Sequence, residues 1–468
     1  MKHCFLKHFC ILVLAAVWPI FITQASEDVS LPQMLKRARA NEALNKDINS
    51  LMQQADEKLE QVQMEKWLTT FKLMAYGGVV PDVNADSAVR NKSADDLLFN
   101  IKSSDFENDF SFSKLGPFAN VEVTAVQPIF TWGKISGYEG MSQGNRQIAE
   151  QDKRKELEQV RYMVKKAYYT LQFSTDALKI LGDVKSKLKQ AEQKVEELLI
   201  KNADNVEEND RLKIKVFLAD VENRTLDATK GARLSRSALT ELTGTVGDWA
   251  PVQNSLTAET VQGIQKNEVI SQALRSQPDV KKLDDYINIK RSERATIKAD
   301  LFPTFFLAGK LEYAIAPGRT DITNPYLNDP FNKFNLGVSF GLKQDLGFYR
   351  TLNKLDQLDS KLARLQAQRE RFKSVMKLKT EDAFERAVAA QKGIGINEKG
   401  FRAARSWLTS TGLAFNLGTA QTKDVLESYA AYFKARVDLL KSVYELNMAL
   451  TELSRAAGVE LVQRLKQT

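Results

Sequence analysis

Phe334-Asn335-Leu336-Gly337-Val338-Ser339-Phe340-Gly341-Leu342-Lys343 alternates a large apolar residue with a small or polar one at every step. That period of two predicts a strand with one greasy face and one wet face. Three further segments carry the same pattern. Phe305, Leu307, Leu311 and Tyr313 share a face opposite Lys310 and Glu312. Val121, Val123 and Ala125 oppose Asn120, Glu122 and Thr124, and residues 68–76 alternate least clearly. In a water-soluble chain the greasy face would cover a core; in a membrane barrel it would face lipid. Alternation leaves both open. Four strands cannot close a wide barrel, so the membrane reading needs several copies of the chain. Polar stretches with turn residues, 77–115 and 317–333, join the strands in two pairs.

Outward from the strands the pattern changes to a helical one. Val160, Met163, Ala167, Thr170, Ser174, Ala177, Leu181, Val184, Leu188, Ala191, Val195 and Leu198 follow alternating steps of three and four. Leu426, Ala430, Phe433, Val437, Leu440 and Tyr444 do the same, as do Leu355, Leu358, Leu362, Leu365, Phe372 and Met376 with a lapse at Arg369. These are coiled-coil seams. A helix over 140–200 would be ~90 Å long at 1.5 Å per residue, too long for a compact globule. Its partners, near 209–243 and 421–457, are shorter, so the long arm must meet more than one neighbour. The small residues Ala167, Thr170, Ser174 and Ala177 suit close multi-helix packing, or a local gap in an ordinary coiled coil. Gly393 and Gly395 predict a bend or break in the second long arm.

The chain also repeats itself. Ala-Leu-Thr-Glu-Leu occurs at 238–242 and again at 449–453, each copy ending a heptad-patterned segment ahead of a glycine, Gly244 or Gly458. Residues 30–66 and 268–300 are both helical in pattern, and each leads into strands. The expected division is a signal segment over 1–25 and a first repeat over 26–244, with strands near 68–76 and 118–131 and a helical hairpin near 136–243. A linker, 245–267, leads to a second repeat over 268–458, with strands near 303–315 and 333–345 and a hairpin near 350–457. A tail, 459–468, follows. The fold class is α+β, mainly α.

The first 25 residues read as a secretory signal, with Lys2 and Lys7, an apolar run from Phe9 to Phe21, and Thr23-Gln24-Ala25 ahead of the cleavage point. Cys4, Cys10, His3 and His8 all lie inside it, so the expected mature chain has neither Cys nor His. That excludes disulfides, thiol or imidazole catalysis and Cys or His metal sites, and makes an enzyme an unpromising reading. The net charge of +8 is spread along helices and forms no basic stripe, which argues against nucleic acid. Beyond the signal no run of ~20 apolar residues is present.

Three motifs complete the picture: Gln127-Pro128-Ile129-Phe130-Thr131-Trp132-Gly133-Lys134, Leu301-Phe302-Pro303-Thr304-Phe305, and Gly418-Thr419-Ala420-Gln421-Thr422-Lys423-Asp424-Val425-Leu426-Glu427. In their order, spacing and duplicated setting the chain resembles the TolC-type outer membrane efflux protein family over essentially its whole mature length. The resemblance implies a homotrimer in the outer membrane, each subunit giving four strands to one twelve-stranded barrel and its helices to a periplasmic coiled-coil barrel. It implies no catalysis and no cofactor or metal. The implied partners are a periplasmic adaptor (membrane fusion) protein, an inner membrane transporter and outer membrane lipid, in efflux or type I secretion. The alternative is a soluble periplasmic structural or adaptor coiled coil without a pore; the four strands discriminate, because such a protein has no need of them.

Asp424 and Glu427, three apart, share a helix face. Two acids near a helix start stabilise its N-terminus through the dipole. By family match they resemble the paired acids ringing the pore constriction, with Glu427 replacing the more usual Asp. Phe415 stands where the family has a latching tyrosine, and Ala420 where it has an arginine, so the family's latch bonds cannot form. Gly418 lies in the turn. In the first repeat Asp210 is the counterpart of Asp424, within an acidic tip that includes Asp204, Glu207 and Glu208. Trp132, Tyr138, Phe348 and Tyr349 fit an interfacial aromatic belt or, equally, a junction core.

Overall fold

A computed structural model describes residues 27–66, 69–83, 110–201, 206–252, 255–320 and 329–461. The expected signal segment, Asp204 and most of the two interstrand stretches lie outside these. In chain order the elements are β1 (Glu27–Val29), α1 (Leu31–Arg39), α2 (Glu42–Glu65), β2 (Thr70–Val83), β3 (Phe110–Phe130), α3 (Lys134–Ile200) and α4 (Glu208–Thr243). There follow β4 (Trp249–Pro251), α5 (Lys266–Ser276), α6 (Pro278–Ala299), β5 (Thr304–Ile315), β6 (Lys333–Lys343), α7 (Phe348–Asn416) and α8 (Thr422–Ala457). The chain forms two units: 1–42, 160–261 and 386–451 in one, and 43–159, 262–385 and 452–468 in the other. Among the described residues, no helix is long and apolar enough to cross a membrane.

The second unit holds an antiparallel sheet in the order β2-β3-β5-β6. The strands β2 and β3 run further than their sequence pattern predicts, through 77–83 and 110–115, because the backbone ladder continues where side-chain alternation fades. Register slips occur between Pro81 and Asp82 and between Pro128 and Phe130; proline lacks the N–H that a continuous ladder needs. Register places Leu73, Val123, Leu311 and Leu336 in one cross-strand row and Ala75, Val121, Tyr313 and Phe334 in the next. This side is apolar yet open: Leu73 is 72% exposed and Val338 74%. The other side carries an ionic cluster. Lys310 reaches Glu122 at 3.2 Å and Glu312 at 3.0 Å, Lys333 reaches Glu312 at 2.9 Å, and the Asn120 amide donates to Glu312 at 3.2 Å.

The sheet meets its helices through the first two motifs. Thr131-Trp132-Gly133 turns β3 into α3 with Trp132 at φ 54° and Gly133 at φ 84°. The Trp132 indole donates to the Pro303 carbonyl at 2.9 Å and stacks on Phe302 at 4.8 Å, while Lys134 pairs with Asp300 at 2.6 Å. Trp132, Tyr138, Phe348 and Tyr349 are all exposed, so they do not form a junction core. Just inside α3, a β-carbon on Gly137 or Gly140 would strike Thr296 or Ser292, and one on Gly144 would strike Ile289. These three glycines let α3 lie against α6.

In the first unit α3 pairs with α4 and α8 around a core that includes Leu181, Val184, Leu188, Ile214, Val221 and Phe433. Between 164 and 184 burial spreads well beyond the heptad seam to Val164, Tyr168, Leu171, Gln172 and Ile180. The small residues there serve multi-helix packing. Met163, a seam position in the pattern, is 41% exposed. The segment after β4 is held by side chains: the Leu256 N–H donates to Asp176, the Glu259 N–H to Asn447, and the Asn447 amide to the Thr257 carbonyl.

Two sequence expectations need correction. The break expected at Gly393 and Gly395 is absent, since α7 is continuous through both and their surroundings are open; isolated glycines weaken a helix without interrupting its ladder. The pentapeptide copies are not equivalent positions. Both α4 and α8 have 36 residues and begin and end 214 apart (208 to 422, 243 to 457), whereas the copies lie 211 apart. Leu239 therefore corresponds to Leu453, both fully buried. A slip of three residues rotates a helix by only ~60°, so heptad patterning disguises it.

Candidate functional site

The hairpin tip between α7 and α8 gathers most of the sequence-chosen residues, all within the first unit. The C-terminus of α7 closes with Gly418 at φ 74°, where a side chain would be strained. The Gly418 N–H donates to the Phe415 carbonyl at 3.0 Å and the Thr419 N–H to the Ala414 carbonyl at 2.9 Å, the paired bonds of a Schellman cap. Two residues later the chain re-enters helix. The Asp424 carboxylate accepts the Gln421 N–H at 3.0 Å, satisfying a donor that the helix itself leaves unpaired. Glu427, one turn further along α8, is exposed; Phe415 is half-buried.

The other tip, between α3 and α4, repeats half of this. Asp210 accepts the Glu207 N–H at 3.2 Å, 214 positions before the matching bond, but is buried, with Lys213 3.6 Å away. Glu208 pairs with Arg211 on the surface. Both aspartates act as helix caps, and Asp424 has the more open side chain.

Aromatic packing fixes the helices behind the tips. Phe217 lies 5.7 Å from Phe433 and 6.4 Å from Tyr429, and Phe401 of α7 lies 5.5 Å from Tyr432. Burial pushes the Tyr429 phenol up to about 12, with Tyr432 adding to the shift. Lys185 bonds Glu222 at 2.8 Å and holds its carboxyl below the usual range. At the opposite ends of α4 and α8 the amides of Asn41 and Gln277 cap equivalent carbonyls, Glu241 and Leu242 in one case and Arg455 and Ala456 in the other. Sequence reading missed these two caps; no pattern marks an amide whose target is about 180–200 residues away. The glycines at 137, 140 and 144 carried a readable signal, one face of small residues at steps of three and four.

An antiparallel sheet of four strands and helices of 67 and 69 residues give the chain the fold of solved outer-membrane channels. Among solved structures the chain is similar to the outer-membrane channel OprN, with 16% identity, 92% of this chain and 89% of that chain covered and a TM-score of 0.72. It is similar also to the Campylobacter jejuni CmeC outer membrane channel (15%, 93% and 88%, TM-score 0.70) and to the open state of the Neisseria gonorrhoeae MtrE outer membrane channel (14%, 92% and 89%, TM-score 0.69). At such identities the likeness is one of fold. No family model matches the chain, and no curated protein matches it.

Proposed function

We propose that the protein is a passive exit duct of the outer membrane, working as a homotrimer in a tripartite efflux or type I secretion system. The observation that carries this reading is the sheet. Its apolar side is exposed, its polar side is charged, and both edge strands, β2 and β6, lack a second partner among the described residues. Such an edge invites further strands, and closure into a barrel removes it. Three copies would supply twelve strands, with the apolar side toward lipid and the ionic side toward a water-filled bore. Exposed apolar residues on α4 (Leu212, Val216, Leu226, Leu234) and on α7 (Ile396, Trp407, Leu413) support association between copies along the helices. The similar solved structures are described as outer-membrane channels.

In this reading Asp424 and Glu427 from three subunits place six carboxylates around the narrow end, attracting cations. Phe415, Gly418 and Asp210 shape the tips that a periplasmic adaptor and an inner membrane transporter would engage. With Phe415 and Ala420 in place of hydrogen-bonding residues, the resting tip is held by packing and by the two caps. Addition of purified trimer to a planar bilayer tests the proposal. Discrete, cation-preferring conductance supports it; silence from well-folded trimer counts against it.

A further inference from the structure

We infer that the chain on either side of the β5–β6 turn forms a collar that narrows the outer mouth of the duct. This rests on the barrel reading, and it draws on residues 316–320 and 329–333 with the strand ends they touch. At the end of the sheet remote from the helices, its two sides are covered unequally. On the apolar side Val79 is 69% exposed and Ile315 40%; on the ionic side their neighbours Val80 and Ala314 are 4% and 3% exposed. Asn120 and Glu312, also on the ionic side, are buried although a bore-facing wall should be wet.

The residues on that side explain the difference. Phe331 packs edge-on against Phe118, which shares the face of Asn120, with ring centres 5.4 Å apart. The Arg319 guanidinium sits 5.1 Å over the Phe331 ring, bonds Asp329 at 3.0 Å, and donates to the Pro81 carbonyl on β2. The Thr320 N–H donates to Asp82 at 2.9 Å, and the Ala316 N–H to Asn332 at 2.6 Å. Arg319 and Asp329 have side chains 2% and 5% exposed. Two strand positions separate β5 from β2, so these bonds carry the segment across β3 on the bore side. Three such segments would reduce the opening, and the buried Arg319–Asp329 pair is the lock.

The test compares wild type with Asp329→Asn, which removes the charge at constant size, and Phe331→Ala, which removes the ring and leaves the pair. Each is measured as single-channel conductance in a planar bilayer. A Val80→Cys reporter, with Cys4 and Cys10 replaced by serine, is labelled by a membrane-impermeant thiol reagent. We expect labelling to quicken by about twofold or more in both variants as the opening around residue 80 widens, while conductance, limited by the narrow helical end, changes little and shows that each trimer is assembled. Conducting trimers with unchanged labelling overturn the collar alone. Rapid labelling of Val80→Cys in the otherwise wild-type trimer overturns it without any lock variant. Folded wild-type trimer that never conducts overturns the duct reading and the collar together.

Discussion

Asp424 performs two separable tasks in the proposed duct, a cap and a charge. Its carboxylate bonds the Gln421 N–H, whereas Glu427 stands free of that duty on the same helix face. Asp424→Ala should therefore cost about 1 kcal/mol of stability, as loss of a helix cap does, and also weaken block by multivalent cations. Glu427→Gln should weaken block while the melting temperature stays put. Bilayer titration with a trivalent cation, alongside thermal melting, checks both; unchanged block in both variants sinks the acidic ring. Gly418→Ala should cost about 1 kcal/mol through the left-handed backbone alone. Tyr429 gives a pH signature. Its folded pKa of about 12 lies above the ordinary value of 10.0, so its contribution is complete below pH ~10 and is lost as pH rises through the folded value. Melting temperature should fall between those limits, and Tyr429→Phe should flatten the fall.

Among the elements, glycine serves opposite ends in α3 and α7. A methyl group on Gly137 or Gly144 would collide with α6, so Gly137→Ala and Gly144→Ala should destabilise by about 1–3 kcal/mol, the usual range for overpacking. Gly393 and Gly395 face open space within a helix, so alanine there should stabilise by about 0.5–1 kcal/mol. Chemical denaturation of the four variants separates the two groups by sign. The same contrast explains what was legible. Heptad spacing located α3, α4, α7 and α8 because burial along a helix repeats with its turn. It could not tell a glycine that permits contact from one that faces water, because only the neighbouring helix distinguishes them.

For the whole molecule, the sidedness of the sheet is the decisive property. Val338 and Ser339 are adjacent on β6 and point to opposite sides. Val338→Arg should impair insertion by about 2–4 kcal/mol, the cost of a cation facing the bilayer midplane. Ser339→Arg should insert normally and alter conductance. Heat-modifiable trimer on gels and single-channel recording read the two effects; equal tolerance at both positions would contradict the barrel.

Alternation at Phe334–Leu342 and the seams along 160–198 and 426–444 determined, from sequence alone, that strands and long helices are joined twice over. Those periods follow from backbone geometry, which every residue in an element shares. The register between the halves was not determined. Ala-Leu-Thr-Glu-Leu pointed to an interval of 211, while the caps at Asp210 and Asp424, and the carbonyls of Glu241 and Arg455 that Asn41 and Gln277 cap, set 214. Candidate acids were readable as a pair on one helix face, but not that one of them is committed to a cap. Nor did any pattern foretell Arg319 bonded to Asp329 across the end of the sheet. Periodicity is a local property; caps, close approaches and buried ion pairs depend on partners brought together by folding, and only the tertiary structure decided those.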